Sequence, residues 1–137
     1  MSLDEHRNQI DAIDSQMVKL LNERLQHALA IGKIKLEQGG SIYAPHREKA
    51  VFDRVCALNE GPLPDDSLRA IYREIMSAAI SLEKPVSIAF FGPEATYTHQ
   101  AAIRKFGSSL SYQALKTIGD VFTEVSNHSY DHLYFAL

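Results

Sequence analysis

Two cations interrupt the apolar stripe of the first forty residues, and they are the side chains whose type and spacing point to chemistry. Ile10, Ile13, Met17, Leu20, Ala28 and Ile31 recur at steps of three and four with one gap. Continuing the stripe from Leu20 places Arg24 in that gap, and past Ala28 and Ile31 it reaches Lys35. At 100° per residue, Arg24 and Lys35 stand about 20° apart on one face and roughly 16 Å apart along the axis. On a second stripe Arg47 lies one turn before Val51, and Glu83 extends a third stripe beyond Ala79. An inward cation without a partner is expensive, so an inward Arg and Lys imply an anion to meet them. That anion is either a Glu of the protein or a carboxylate of a ligand. The planar guanidinium of Arg24 suits bidentate carboxylate recognition, whereas Lys35 is a compact donor. The plainer alternative lays each stem along a stripe edge and leaves its head in water. Three such intrusions, at Arg24, Lys35 and Arg47, are less expected than one.

The elements that must position these groups are helices. Leu3 to about Gln38 contains no proline, and Gly32 is its only glycine before Gly39. A helix of about 35 residues is over 50 Å long, more than a domain of under about 100 residues usually covers. Its apolar face therefore needs a second chain, most simply a second copy of this one. Arg7 lies about 25 Å up the same helix from Arg24. No small ligand spans both, so a shared site requires Arg7 from the other subunit, which an antiparallel dimer allows.

Gly39-Gly40 stops the first helix, and Ser41 to Ala44 is a short connection. Pro45 suits the first turn of a second helix running to about Asn59, with Val51, Val55 and Leu58 on one stripe. Glu60 to Pro64 is a loop by its Gly and Pro content. Asp65, Asp66 and Ser67 then supply caps and first-turn acids for a third helix. Its stripe is Leu68, Ile71, Tyr72, Ile75, Met76, Ala79 and Leu82, and Pro85 closes the helical region. Beyond Pro85 the period changes. Val86 to Phe91 is a short apolar run ending at Gly92-Pro93, as in a buried strand. Thr96 to Phe106 is expected to be helical, Leu110 to Ala114 a second strand, and Thr117 to Val125 another helix. This is an α/β beginning that stops after some fifty residues.

Composition narrows the function classes. With 45% hydrophobic and 23% charged residues in 137, the chain is globular and has room for one ordinary domain, or a small one and a piece of another. A net charge of −3 offers no overall basic field for nucleic acid or a membrane surface. The single Cys56 forms no internal disulfide and offers no zinc spacing; on a helical stripe it is a small packing residue. The six histidines (positions 6, 27, 46, 99, 128 and 132) show no ligand pair inside a firm helix and are expected at the surface or in loops. No metal site is indicated. The polar N-terminus, without a signal-peptide core or a long apolar run, makes the cytoplasm the expected location.

Here the residues meet a family. His6-Arg7-Asn8-Gln9-Ile10-Asp11-Ala12-Ile13-Asp14, Leu20-Leu21-Asn22-Glu23-Arg24 and Ile31-Gly32-Lys33-Ile34-Lys35 resemble the first helix of the all-helical chorismate mutases. Ile42 to Glu48 resembles the start of their second helix, and Tyr72 to Glu83 resembles their third. The resemblance covers residues 3 to 84 and implies an all-α three-helix domain, paired as an intertwined homodimer, that rearranges chorismate to prephenate without a cofactor. Arg24 and Arg47 would then hold the two substrate carboxylates, with Arg7 contributed by the partner chain. Lys35 would donate to the ether oxygen whose bond to the ring breaks, Glu48 would bind the ring hydroxyl, and Glu83 would occupy the last active-site position. Two positions depart from the pattern. Ala44 sits where some members have Asp, and Ala79 where some have Ser, which removes secondary polar contacts.

A Claisen rearrangement of this kind needs no nucleophile, general base or metal. It needs a compact, reactive conformer and fixed donors where negative charge grows on the ether oxygen. Glu83 donates there only when protonated; an apolar surround raises a carboxyl pKa and nearby cations lower it.

The C-terminal segment carries its own resemblance. Val86 to Ala102, through Phe91-Gly92-Pro93-Glu94-Ala95-Thr96-Tyr97, is similar to the opening strand, loop and helix of a prephenate dehydratase, with Ala95 in place of the usual Gly. The expected arrangement is a mutase domain at 1–84 and, at 85–137, an incomplete dehydratase-like α/β fragment, truncated early. The Thr-Arg-Phe catalytic stretch of that family is absent, so dehydratase activity is not expected. From about Asn127 the sequence stops matching, and strands without neighbours would expose apolar faces. Two other functions stay open: elimination of pyruvate from isochorismate on the same fold, and a non-catalytic helical dimerisation module with its cations paired to acidic side chains.

Overall fold

A computed structural model of the chain describes residues 1–40, 44–83, 87–94, 97–117, 119–120 and 132–134. The 41–43 connection, the Pro85 stop, the Ala95 replacement, most of the helix predicted over 117–125 and the unmatched tail, apart from residues 132–134, lie outside the described residues. The chain divides into two compact units, Met1–Gly40 and Ser41–Leu137.

The first unit is one helix, α1, from Leu3 to Glu37. Its start is a capping box: the Glu5 amide donates to Ser2 Oγ at 3.2 Å, and Glu5 Oε2 accepts from the Ser2 amide at 2.6 Å. Its end is the predicted glycine stop. The Gly39 amide donates to Leu36 O at 3.1 Å, with Gly39 at φ +74°, a conformation that costs a residue with a Cβ more than it costs glycine. Ile10, Ile13, Met17, Leu20 and Ile31 are each more than half exposed on the single chain, which is the face for which a second chain is expected.

The second unit starts with α2, Pro45–Leu58, and α3, Asp65–Glu83. Pro45 takes the first turn, as predicted. Ala44 is the N-cap and makes no side-chain cap bond, leaving an orphan amide that a carboxylate would satisfy. Ala44→Asp is accordingly expected to stabilise the chain by about 1 kcal/mol, read as a raised thermal midpoint. Between the helices, Asn59 Nδ2 donates to Leu63 O and to Asp65 Oδ1, both at 2.8 Å, and ties the loop to the start of α3. Val51, Val55 and Met76 form the α2–α3 core, with Phe52, Leu68 and Tyr72 packed around it.

After α3 come β1 (Ser87–Phe91), α4 (Tyr97–Phe106), β2 (Ser111–Leu115) and β3 (His132–Tyr134). The strands form a parallel sheet in the order β2-β1-β3, with Ile88 opposite Tyr112 on one side and His132 on the other. A helical N-terminal part followed by a small α/β part is the fold class expected. The third strand was not. It pairs with the edge of β1 that the sequence pattern leaves open, and Ile88, Ala89 and Phe90 are fully buried. His99 also departs from expectation: it is half-buried, and its ring stacks on Phe90 at 4.6 Å between centroids.

The third helix buries a wider surface than its predicted stripe. Ser77 is fully buried, whereas Ile71 and Leu82 stay substantially exposed. The reason is a second packing partner. Ile80 joins the core of Ile88, Ala102, Phe106 and Leu110, and the α4–β2 turn rests on α3. There Glu74 accepts from the Ser108 amide at 3.0 Å and from Ser108 Oγ at 2.7 Å, while Ser77 Oγ accepts from the Ser109 amide at 3.3 Å. Gly107, at φ +88°, permits this approach, because a Cβ there would collide with the Ser77 side chain. Gly107→Val combines left-handed strain with that collision, and is expected to cost about 3 kcal/mol, measured as a lowered denaturant midpoint. Tyr112 donates its hydroxyl to Gly107 O on the same turn, and burial, with Glu74 nearby, pushes its phenol well above the ordinary range.

Candidate active site

The side chains singled out from the sequence divide between the two units. Arg7, Arg24 and Lys35 belong to α1; Arg47, Glu48 and Glu83 belong to α2 and α3.

On α1 the least exposed line passes through Arg24, Ala28, Gly32 and Lys35, with Leu25 and Leu29 beside it. Arg24 and Lys35 are half-buried on this line and Gly32 is buried, so both cations lie off the outward surface as their spacing predicts. Ile31 does not belong to the line: it is 52% exposed. A step of four from Ala28 reaches Gly32, and a further step of three reaches Lys35, which keeps the four residues within one narrow stripe. The smallest residue thus stands between the two cations and leaves open space beside the helix. Arg7 is exposed near the other end.

On α2 the two adjacent residues have opposite fates. Arg47 is exposed, whereas Glu48 faces inward with 9% of its surface accessible. Glu48 Oε1 accepts from Arg73 Nη2 of α3 at 2.7 Å. Arg73 also lies over the Phe52 ring, 4.8 Å from its centroid. Glu83 is half-buried at the last position of α3, one turn beyond the buried Ala79. Arg73 was not among the residues singled out from the sequence. The signal was present, since Arg73 stands one turn before Met76 and two before Ile80, as Arg47 stands before Val51.

A separate hollow of about 580 Å³ opens at the carboxyl ends of β1 and β2, lined by Phe91, Gly92, Pro93, Thr98, Ala114, Leu115 and Lys116. Crevices at this end of a parallel sheet are where α/β proteins commonly bind ligands. Among the described residues no group of three or more His, Cys, Asp or Glu is placed to hold a metal ion.

The helical architecture and its cations have a counterpart among known proteins. Residues 6–84 match the family model of chorismate mutase type II. The chain belongs to this family. Residues 88–136 match the prephenate dehydratase model, so that similarity continues through the segment after Asn127, where the sequence alone was read as no longer matching. The bifunctional chorismate mutase/prephenate dehydratase of Neisseria gonorrhoeae is 48% identical over 128 residues, covering 93% of this chain and 35% of that protein. The protein of the same description from Aquifex aeolicus is 45% identical, covering 95% of this chain and 37% of its own length. This chorismate mutase family member therefore spans just over a third of the length of those relatives. Among solved structures, the form II chorismate mutase of Thermus thermophilus superposes with a TM-score of 0.58 at 32% identity, covering 59% of this chain and 92% of that one.

Proposed function

We propose that residues 1–84 catalyse the rearrangement of chorismate to prephenate, a step towards phenylalanine and tyrosine, and that 85–137 form a dehydratase-like fragment without dehydratase activity. The observation that carries this reading is the half-buried pair Arg24 and Lys35 on one line of α1, inside the segment that matches the mutase family. Arg24 and Arg47 clamp the two carboxylates and hold the compact conformer, which lowers the entropic part of the barrier. Lys35 and a protonated Glu83 donate to the ether oxygen as its bond to the ring lengthens, where fixed donors stabilise the growing charge. Glu48 accepts from the ring hydroxyl. No cofactor takes part in these steps. The absence of a Thr-Arg-Phe run from the sequence is the reason dehydration is left out.

The reading includes a homodimer with Arg7 of the partner subunit completing each site. The exposed apolar face of α1 supports it, since burying Ile10, Ile13, Met17 and Leu20 against a second copy removes a large apolar area from water. No helix of the described chain is long and apolar enough to cross a membrane, and the setting proposed is cytoplasmic.

The test is to add purified protein to chorismate, follow the loss of its absorbance and identify the product. Prephenate supports the mutase. Turnover of isochorismate to pyruvate instead would support the sibling reaction, and no turnover of either would leave the dimerisation module. Shared sites have their own readout. Arg7→Ala and Lys35→Ala are each expected to be nearly inactive alone. Mixed and re-equilibrated in equal amounts, half the dimers pair unlike chains and each restores one of two sites, giving about a quarter of wild-type activity. Absence of any recovery, with subunit exchange verified by mass, would rule out a site shared across subunits.

A further inference from the structure

Two of the described ion pairs, Lys49–Asp53 and Arg69–Asp66, are exposed, but Glu48–Arg73 is not: its side chains are only 11% and 13% accessible. The pair is joined by a single hydrogen bond, Arg73 Nη2 to Glu48 Oε1 at 2.7 Å. Glu48 Oε2 and Arg73 Nη1 are both buried and have no hydrogen-bond partner among the described residues. For stability alone this is a poor arrangement. A buried ion pair repays its desolvation only with near-ideal geometry and with its remaining lone pairs satisfied, and apolar residues of similar volume often serve better. As an orienting device it makes sense. A carboxylate held by one oxygen keeps its charge and cannot swing, so its second oxygen is presented in a fixed direction as an acceptor. The guanidinium is itself held, since it lies over Phe52, 4.8 Å away on the same helix as Glu48.

We propose that Arg73 is a positioning residue for substrate recognition: by holding Oε1 of Glu48 it aims Oε2 at the ring hydroxyl of the substrate. The proposal rests on the role given to Glu48 above. It makes the ability of the enzyme to distinguish a hydroxylated ring from a plain one depend on a residue that does not touch the substrate.

The experiment compares kcat/KM for chorismate with that for the analogue in which hydrogen replaces the ring hydroxyl. The ratio of the two is independent of how much of a variant is folded. In the wild type the ratio is expected to be about 10 to 100, the worth of a hydrogen bond to a charged acceptor. Arg73→Met keeps the stem over Phe52 and removes the anchor; its ratio is expected to fall below about 3, mostly through loss of rate on chorismate itself. Arg73→Lys restores one charged donor to Oε1, and because the native contact is a single bond the ratio should recover most of its wild-type value. It also supplies the reading should the Met variant have no measurable activity. A purely structural Arg73 would lower both rates together and leave the ratio unchanged, which would overturn the proposal. A wild type that turns over chorismate without distinguishing the analogue would overturn it too, by removing the role of Glu48. A wild type inactive on chorismate is a different result, the failure of the mutase reading itself.

Discussion

Lys35→Ala is expected to lower kcat by about 1,000-fold or more, while helix content and subunit mass stay at wild-type values. The reasoning begins with the bond that breaks. As the ether oxygen parts from the ring it gains negative charge, and a fixed cation meets that charge more strongly in the transition state than in the bound substrate. Lys35 is half-buried, which removes part of the water that would screen it, and it lies in the last turn of α1. A cation in that turn also interacts favourably with the helix dipole, but this is worth only about 0.5 kcal/mol. Alanine has the higher helix propensity, so the helix should survive the change. Circular dichroism and light scattering check the scaffold, and single-turnover kinetics separate chemistry from binding. Retention of most of the activity by Lys35→Ala would remove this side chain from the mechanism.

The second large effect concerns Glu83. Glu83→Ala is expected to cost about 100-fold in kcat, because it deletes the second donor to the same oxygen. The wild type should work best at mildly acid pH. A carboxyl group donates only while it carries its proton, so kcat declines as pH rises and Glu83 ionises. Glu83→Gln presents amide N–H groups at every pH, and its profile should be flat where that of the wild type falls. The structure puts Glu83, half-buried, at the last position of α3. Profiles of the two proteins measured side by side decide the matter, since a common pH dependence would mean that Glu83 is not the donor.

Both experiments probe groups that were legible before any coordinates, and the boundaries of the elements carrying them were legible too. Observed α1 ends at Glu37 ahead of Gly39, α2 starts at Pro45, and α3 starts at Asp65. These signals are local. A capping box, a left-handed glycine and a proline in the first turn each act on backbone groups within about four residues, so the letters beside them suffice. The change from helical period to a short apolar run likewise announced β1 before its partners were known.

What the letters could not show was how one face meets another across a gap in sequence. Glu48 was singled out, but its partner Arg73 lies 25 residues away, and only the register of α2 on α3 selects Arg73 over Arg69. The α3 stripe was drawn with one face in mind, so the full burial of Ser77 appears only once the Gly107 turn is seen against it. β3 is three residues long, too short for its period to register, and its place beside β1 is a long-range pairing. The sequence by itself thus determined the helices, their ends and the cations on them, because hydrogen bonds and periodicity within one element are local properties. The tertiary structure alone decided which oxygen of Glu48 is held and which is free, because that depends on the angle and offset at which two helices pack.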